Sequence, residues 1–232
     1  IAPRMQEIYL FDATVQGNGR ATTGITPQKL KGTSARLIWQ TGTAERAVVC
    51  DVGYNGSRIS FRTGTAIGGN ALIGLFDKDG DCIWSWHIWA TNGALTTHVY
   101  PSGYVFMDRN LGAENLDPGD PASRGLYYQW GRKDPFPWGK VIFDAQGAPK
   151  TYITYRRPVQ TSGALGQYAG YTGNTYYATA HPDIFITTTD GSSYDWYYGA
   201  GKGNGPAFRN NELWGNPTGY EVGQKTAKTL FD

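Results

Sequence analysis

Five aromatic side chains carry the clearest chemical potential in this chain: Trp130, Trp138, Trp196, Tyr197 and Trp214. A rigid ring with one polar edge packs on the apolar face of a sugar or peptide while its N–H or O–H meets the wet side. All five lie after Asp108, in a stretch rich in Gly, Pro, Asn, Asp and Tyr. Placement among so many other rings makes them the ligand-binding candidates. Packing of an irregular, Gly-rich core accounts for most individual tyrosines there; the cluster as a whole is what points to binding.

Catalytic signatures fail one by one. Gly199-Ala200-Gly201-Lys202-Gly203-Asn204-Gly205 has Asn204 where a dinucleotide loop needs Gly, and Trp196 and Gly203 break the phosphate-loop pattern. Asp77-Lys78-Asp79-Gly80-Asp81 opens like a calcium hand, but its Gly comes early and Ile88 replaces the bidentate Glu. His181-Pro182-Asp183 matches a co-chaperone tripeptide without a helical hairpin to present it. His87 has no second His or carboxylate at metal-ligand spacing, so a packed, hydrogen-bonded ring is expected. Glu212, Asp195 and Asp134 lie among the aromatics, as a glycosidase pair would, but nothing selects them. Asp190 and Asp195 would suit a calcium loop, and a solvated turn suits them better. No cofactor is implied, calcium being the one ion considered.

Composition narrows the class. Of 232 residues, 32 are Gly, 14% are aromatic and only 17% are charged, which argues against coiled coils and long helical bundles. The formal net charge of +2 leaves no field that would gather nucleic acid, and Arg156-Arg157 is a single basic pair. No apolar run reaches the roughly 20 residues of a membrane-spanning helix. Ile1 as first residue is read as the start of a processed chain. Cys50 and Cys82 leave two readings open: two small buried thiols, or a disulfide closing about 31 residues and contributing roughly 3–4 kcal/mol.

Elements that must position these residues come in two styles. Up to about Met107, short alternating runs are separated by turns: Ile8–Phe11, Ala35–Gln40, Ala47–Val52, Ser57–Arg62, Ala71–Phe76, Cys82–Trp89 and Tyr104–Phe106. Ile59 and Phe61 share one face and Arg58 and Arg62 the other. Asn55-Gly56 predicts a type I′ hairpin turn and Asp79-Gly80 a second hairpin. Ala71–Phe76 is apolar on both faces, as a central strand would be. Trp84 and Trp86 are expected in the core. Seven short strands at this spacing predict a β-sandwich. Beyond Asp108 the alternation fades, no long helical stripe appears, and Arg124–Arg132 is the one candidate for a short helix.

A family likeness rests on four blocks. They are Tyr9-Leu10-Phe11 with Val15-Gln16-Gly17-Asn18-Gly19; Gly69–Gly74 with Ile83-Trp84-Ser85-Trp86-His87-Ile88-Trp89; Phe106-Met107-Asp108-Arg109-Asn110-Leu111-Gly112-Ala113; and Gly125–Phe136. In this order the chain resembles fimbrillin-like surface proteins and fimbrial tip adhesins of Bacteroidetes. Its second half resembles the Fibrobacter major paralogous domain, thought to be C-type-lectin-like. The resemblance implies a mainly β protein: a seven-stranded Ig-like, fimbrillin-like sandwich over 1–107, then a loop-rich α+β domain over 108–232. In such proteins a Cys-Pro-rich segment containing Gly-Trp-Arg usually follows; this chain stops at Leu230-Phe231-Asp232, so the resemblance implies a truncated or shortened lectin-like domain.

The resulting expectation is a non-enzymatic adhesin or fimbrial subunit on the outer cell surface. Its partners would be other fimbrial subunits, or glycans and proteins of host or bacterial surfaces. Ile8, Tyr9, Leu10 and Phe11 form the candidate strand for exchange between subunits. A polysaccharide-active enzyme or accessory carbohydrate-binding module is the alternative, and a purely structural stalk is the third reading.

Overall fold

A computed structural model describes residues 1–21, 26–66, 68–91, 93–129, 132–137, 141–150 and 175–186. The protein is mostly β. Its longer strands are β1 Ile8–Asp12, β2 Ser34–Gln40, β3 Val49–Tyr54, β4 Arg58–Thr63, β5 Gly69–Phe76 and β6 Cys82–Ala90. Shorter ones follow: β7 Thr97–Val99, β8 Val105–Met107, β9 Tyr127–Tyr128, β10 Pro135–Phe136, β11 Ile142–Phe143 and β12 Pro149–Lys150. Helix among the described residues amounts to a 3-10 turn, Pro121–Arg124, and α1, Thr175–Ala180. The chain forms two compact units. The first joins Ile1–Thr14, Lys31–Tyr127 and Pro135–Tyr152; the second joins Val15–Leu30, Tyr128–Asp134 and Ile153–Asp232.

Two antiparallel sheets build the first unit, one ordered β1-β4-β3 and the other β12-β11-β2-β5-β6. β4 keeps the expected alternation, with Ile59 and Phe61 buried and Arg58 exposed. β5 is buried at every position, between β2 and β6, so its continuous apolar run is what a strand covered on both faces requires. Phe11 of β1 meets Trp86 of β6 with ring centroids 5.1 Å apart, so the inner faces of the two sheets touch there. Gln40 makes a second link: its Oε1 accepts from the backbone N–H of Val48 (2.8 Å) and Val49 (3.0 Å).

A bulge decides how the larger sheet distributes its bulk. In a regular strand Leu37 and Trp39 would share one face. Here the register shifts between them, and Leu37 pairs with Ile73 while Trp39 pairs with Leu72. Successive residues of β5 face opposite ways, so the extra residue Ile38 sends Leu37 and Trp39 to opposite faces. Ile73 is also opposite Trp86, on the face towards β1, whereas Leu72 is opposite His87 on the other face. Trp39, Leu72 and Ile142 form a buried cluster on that second side.

Several local readings are corrected. The Asn55-Gly56 turn is not type I′, because only Gly56 has positive φ (95°). Asn55 instead holds the turn through Oδ1, which accepts from Ser57 N (3.1 Å) and Arg58 N (2.8 Å). Trp84 and Trp86 are half-buried; among the described residues the fully buried indoles are Trp39 and Trp89. The run near Tyr104 does not border either large sheet but pairs, as β8, with β7 in a hairpin of its own. The described part of the candidate helix Arg124–Arg132 is not helical beyond Arg124: the 3-10 turn ends there, and β9 follows. Of the two readings left open for the cysteines, the structure has the free thiols, Cys50 on β3 half-buried and Cys82 on β6 buried.

In the second unit, the side chain of Arg132 organises the described residues. It is almost fully buried, and it donates to Gln129 Oε1 (3.0 Å) and to the carbonyls of Ile184 (2.6 Å), Ala178 (3.2 Å) and His181 (2.8 Å). Gln129 clamps Ile186, donating to its carbonyl (2.6 Å) and accepting from its N–H (3.1 Å). Elsewhere in the unit, Val15 and Lys29 form an isolated bridge.

Candidate functional site

β1 presents an open edge. Its partner strand β4 accounts for the odd-numbered positions around it: Glu7 O accepts from Thr63 N (3.0 Å) and Ala13 N donates to Ser57 O (2.8 Å). Backbone groups alternate sides along an antiparallel strand, so Ile8, Leu10 and Asp12 aim their N–H and C=O groups away from β4. Among the described residues no strand lies on that side. Side chains divide the same way. Tyr9 stacks on Phe61 at 5.4 Å and Phe11 meets it edge-on at 6.4 Å, while Ile8 and Leu10 remain 67% and 58% exposed.

The other end of that sheet differs. β3 is kinked by a register shift between Cys50 and Gly53, and Asp51 sits there with φ 54°. Asp51 carries a charge at this edge, held by the Arg62 guanidinium (Nε to Oδ2, 2.8 Å). A bulge and a charge are the usual devices that keep an edge from pairing. β1 has neither bulge nor Lys nor Pro, and it is regular over five paired positions. Its regular edge, with Ile8 and Leu10 exposed and Asp12 at the end, is suited to accepting an extended segment.

A second surface surrounds the β7–β8 hairpin. All six strand residues are exposed. The hairpin is tied at its base by Asp108, whose Oδ2 accepts from Thr96 N (3.1 Å) and Thr96 Oγ1 (2.7 Å). Arg109 Nε donates to Asp108 Oδ1 at 2.8 Å. The Arg109 bond, then those from Thr96, hold the Asp108 carboxyl well below the usual carboxylate range. A groove of about 470 Å³ lies alongside, with Phe106, Met107, Leu111 and Leu116 among its lining residues. Its polar members are engaged internally: Asn115 Nδ2 donates to Asp120 Oδ2 (2.6 Å) and Ser123 Oγ to Asp120 O (2.8 Å). The groove is thus lined by apolar and polar groups together, Asp108, Arg109 and Asn110 among the polar ones.

The two most distinctive sequence blocks meet in a buried polar knot. Asn70 Nδ2 donates to Gly112 O (2.9 Å), which leaves Asn70 Oδ1 to accept from His87 Nε2 (2.9 Å). Trp89 Nε1 donates to Ala113 O at 3.1 Å. Thr41 Oγ1 receives Asn70 N (3.0 Å) and donates to Glu114 Oε1 (3.1 Å). Gly112 has φ 81°, and a Cβ there would strike the Leu126 side chain, so glycine is required. Burial first, and the positive amino terminus second, pull the His87 pKa down to about 3. It is a neutral, structural imidazole, as the spacing argument expected.

Trp130, Trp138, Trp196, Tyr197 and Trp214 all lie outside the described residues, as do Asp190, Asp195 and Glu212. Ile8, Tyr9, Leu10 and Phe11 are brought together on β1. Sequence reasoning missed the Arg132 centre and the exposed hairpin; the absence of Asp, Glu, Lys and Arg from Thr96 to Met107 is the signal that would have found the latter. Among the described residues no group of three or more His, Cys, Asp or Glu is placed to hold a metal ion, and no helix is long and apolar enough to cross a membrane. Comparison with known proteins finds no matching family model, no matching curated protein and no matching solved structure.

Proposed function

We propose that this chain is a non-enzymatic adhesin or fimbrial subunit of the outer cell surface, assembled by strand addition along β1. The open edge at Ile8, Leu10 and Asp12 carries the reading: main-chain groups supply affinity, and exposed Ile8 and Leu10 supply an apolar strip for alternate side chains of an incoming strand. The facing sheets and the Phe11–Trp86 contact support an Ig-like, fimbrillin-like sandwich as the assembly unit. The resemblance to fimbrillin-like proteins and tip adhesins supports the placement in a fimbrium. Ligand recognition, of a glycan or a surface protein, is assigned to the aromatic cluster of Trp130, Trp138, Trp196, Tyr197 and Trp214, with the second half as a C-type-lectin-like module.

Hydrogen exchange on the chain at low concentration tests the edge directly. The Leu10 amide is expected to exchange quickly, while Ile73 and Leu75 on β5 stay protected. At concentrations where the chain associates, Leu10 becomes protected. Leu10→Pro removes an outward N–H without touching the β4 ladder, so the fold survives and association weakens at least tenfold. Equal protection of Leu10 and Ile73 in the dilute chain would overturn the proposal, as would undiminished association of Leu10→Pro.

A further inference from the structure

The β7–β8 hairpin is exposed on both faces and uncharged. Pairing places Thr97 opposite Met107, His98 opposite Phe106, and Val99 opposite Val105. Val99, Val105 and Met107 therefore stand on one face and Phe106 on the other. Tyr104, at the tip, is 69% exposed and Val105 is 60% exposed. From Thr96 to Met107 the sequence contains no Asp, Glu, Lys or Arg. Water is a poor solvent for such an arm, and an apolar patch of this kind on a soluble surface marks a contact site.

We propose that this hairpin inserts into the interfacial region of a lipid bilayer. Three observations select lipid over a protein groove. A flat or grooved protein surface covers one face of a two-stranded ribbon and leaves the other wet, whereas the headgroup–acyl boundary surrounds it. The tip sequence Tyr100-Pro101-Ser102-Gly103-Tyr104 places two tyrosines where the hairpin reaches furthest, and aromatic rings with a polar end favour the bilayer interface. Length also fits: three paired residues span about 10 Å, close to the roughly 5–10 Å to which interfacial elements bury.

The arm is pre-shaped for this. Tyr100 meets His98 edge-on at 4.5 Å and Phe106 edge-on at 5.5 Å, so ring contacts hold one face in place before any contact with lipid. Tyr100 N donates to Tyr104 O (2.9 Å) and Gly103 N to Tyr100 O (2.8 Å), closing the turn. At the other end the Thr96–Asp108 bonds close the base of the hairpin, with Arg109 Nε on the same Asp108 carboxylate. The groove beside it carries the apolar surface on through Leu111 and Leu116, both exposed.

Co-sedimentation of the whole chain with phosphatidylcholine vesicles, which bear no net charge, is the test. The chain is expected to partition onto them and to keep doing so in high salt. Tyr104→Asp, which places a charge at the tip, should lower partitioning at least tenfold, while Val141→Asp, the same charge at an exposed apolar residue outside the hairpin, leaves it unchanged. Preserved exchange protection at Ile73 in Tyr104→Asp shows that the variant is folded. Absence of partitioning overturns the proposal. Partitioning that disappears in high salt overturns it in favour of surface charge, and undiminished partitioning by Tyr104→Asp assigns it elsewhere on the chain. If Tyr104→Asp weakens self-association instead, the arm serves a second protein copy and the lipid assignment fails.

Discussion

Replacing Arg132 by methionine should unfold the described part of the second unit, at a cost of about 3–5 kcal/mol. The guanidinium has five N–H donors, and the structure provides acceptors for each nitrogen. Nη1 meets Gln129 and Ile184, Nη2 meets Ala178 and His181, and Nε points to Asp134 Oδ2 at 3.4 Å. Three of those acceptors are carbonyls in and just beyond α1, where a helix has no backbone donors left to satisfy them. Methionine matches the stem but takes the arginine donors from the Ala178 and Ile184 carbonyls, while His181 O keeps only the Ile184 N–H and Gln129 Oε1 the Ile186 N–H. It also removes one partner from the buried Asp134 carboxylate, whose Oδ1 still receives Lys133 Nζ at 2.5 Å. Lysine is not a rescue, because an ammonium has three donors and no planar fork. Exchange of the His181 and Ile184 amides, which close turns onto Tyr177 O and His181 O, reports the result. Protection unchanged in Arg132→Met would show that α1 stands without its arginine.

That centre also shows where sequence reasoning stops. Thr-Tyr-Tyr-Ala-Thr-Ala has no apolar stripe and several weak helix formers. Its helix depends on a side chain more than forty residues earlier in the chain, and no local pattern carries that information. Strands were legible for the opposite reason. Ile59 and Phe61 alternate with Arg58 and Arg62 along β4, and the turn residues Asn55-Gly56 and Asp79-Gly80 stand where the chain reverses. The period of two is written in adjacent residues. Sheet order is not: Ile8–Phe11 could be read as an outer strand, but its partner β4 and the outward direction of the Leu10 backbone follow only from the register. The bulge at Ile38 was equally hidden. Leu37 and Trp39 look like one face of a regular strand, and only the pairing with Ile73 and Leu72 separates them.

Lowering the pH from 7 to 5 should remove about 2 kcal/mol of stability from the first unit, with His87 as the cause. The ring sits against Leu72 in the register and gives its Nε2–H to Asn70 Oδ1 at 2.9 Å. In the folded chain its pKa lies near 3, while an unfolded histidine titrates near 6.5. Between those values the unfolded state binds a proton that the folded state refuses, so stability rises with pH across the interval. The contribution is complete above about pH 6.5, falls as the pH drops, and levels off below about 3. Some of the ring stays accessible, which makes about 2 kcal/mol the upper figure for the span from 7 to 5. Carboxylates ordinarily titrate near 4, below this span. His87→Gln keeps a donor for Asn70 but cannot take up the proton, so its denaturant midpoint should be nearly level between pH 7 and 5 while the parent chain's falls. A variant that retains the parent slope would move the cause to another group. A level slope would place the titrating group in the knot itself, where His87 meets Asn70, Asn70 holds the Gly112 carbonyl and Trp89 holds that of Ala113.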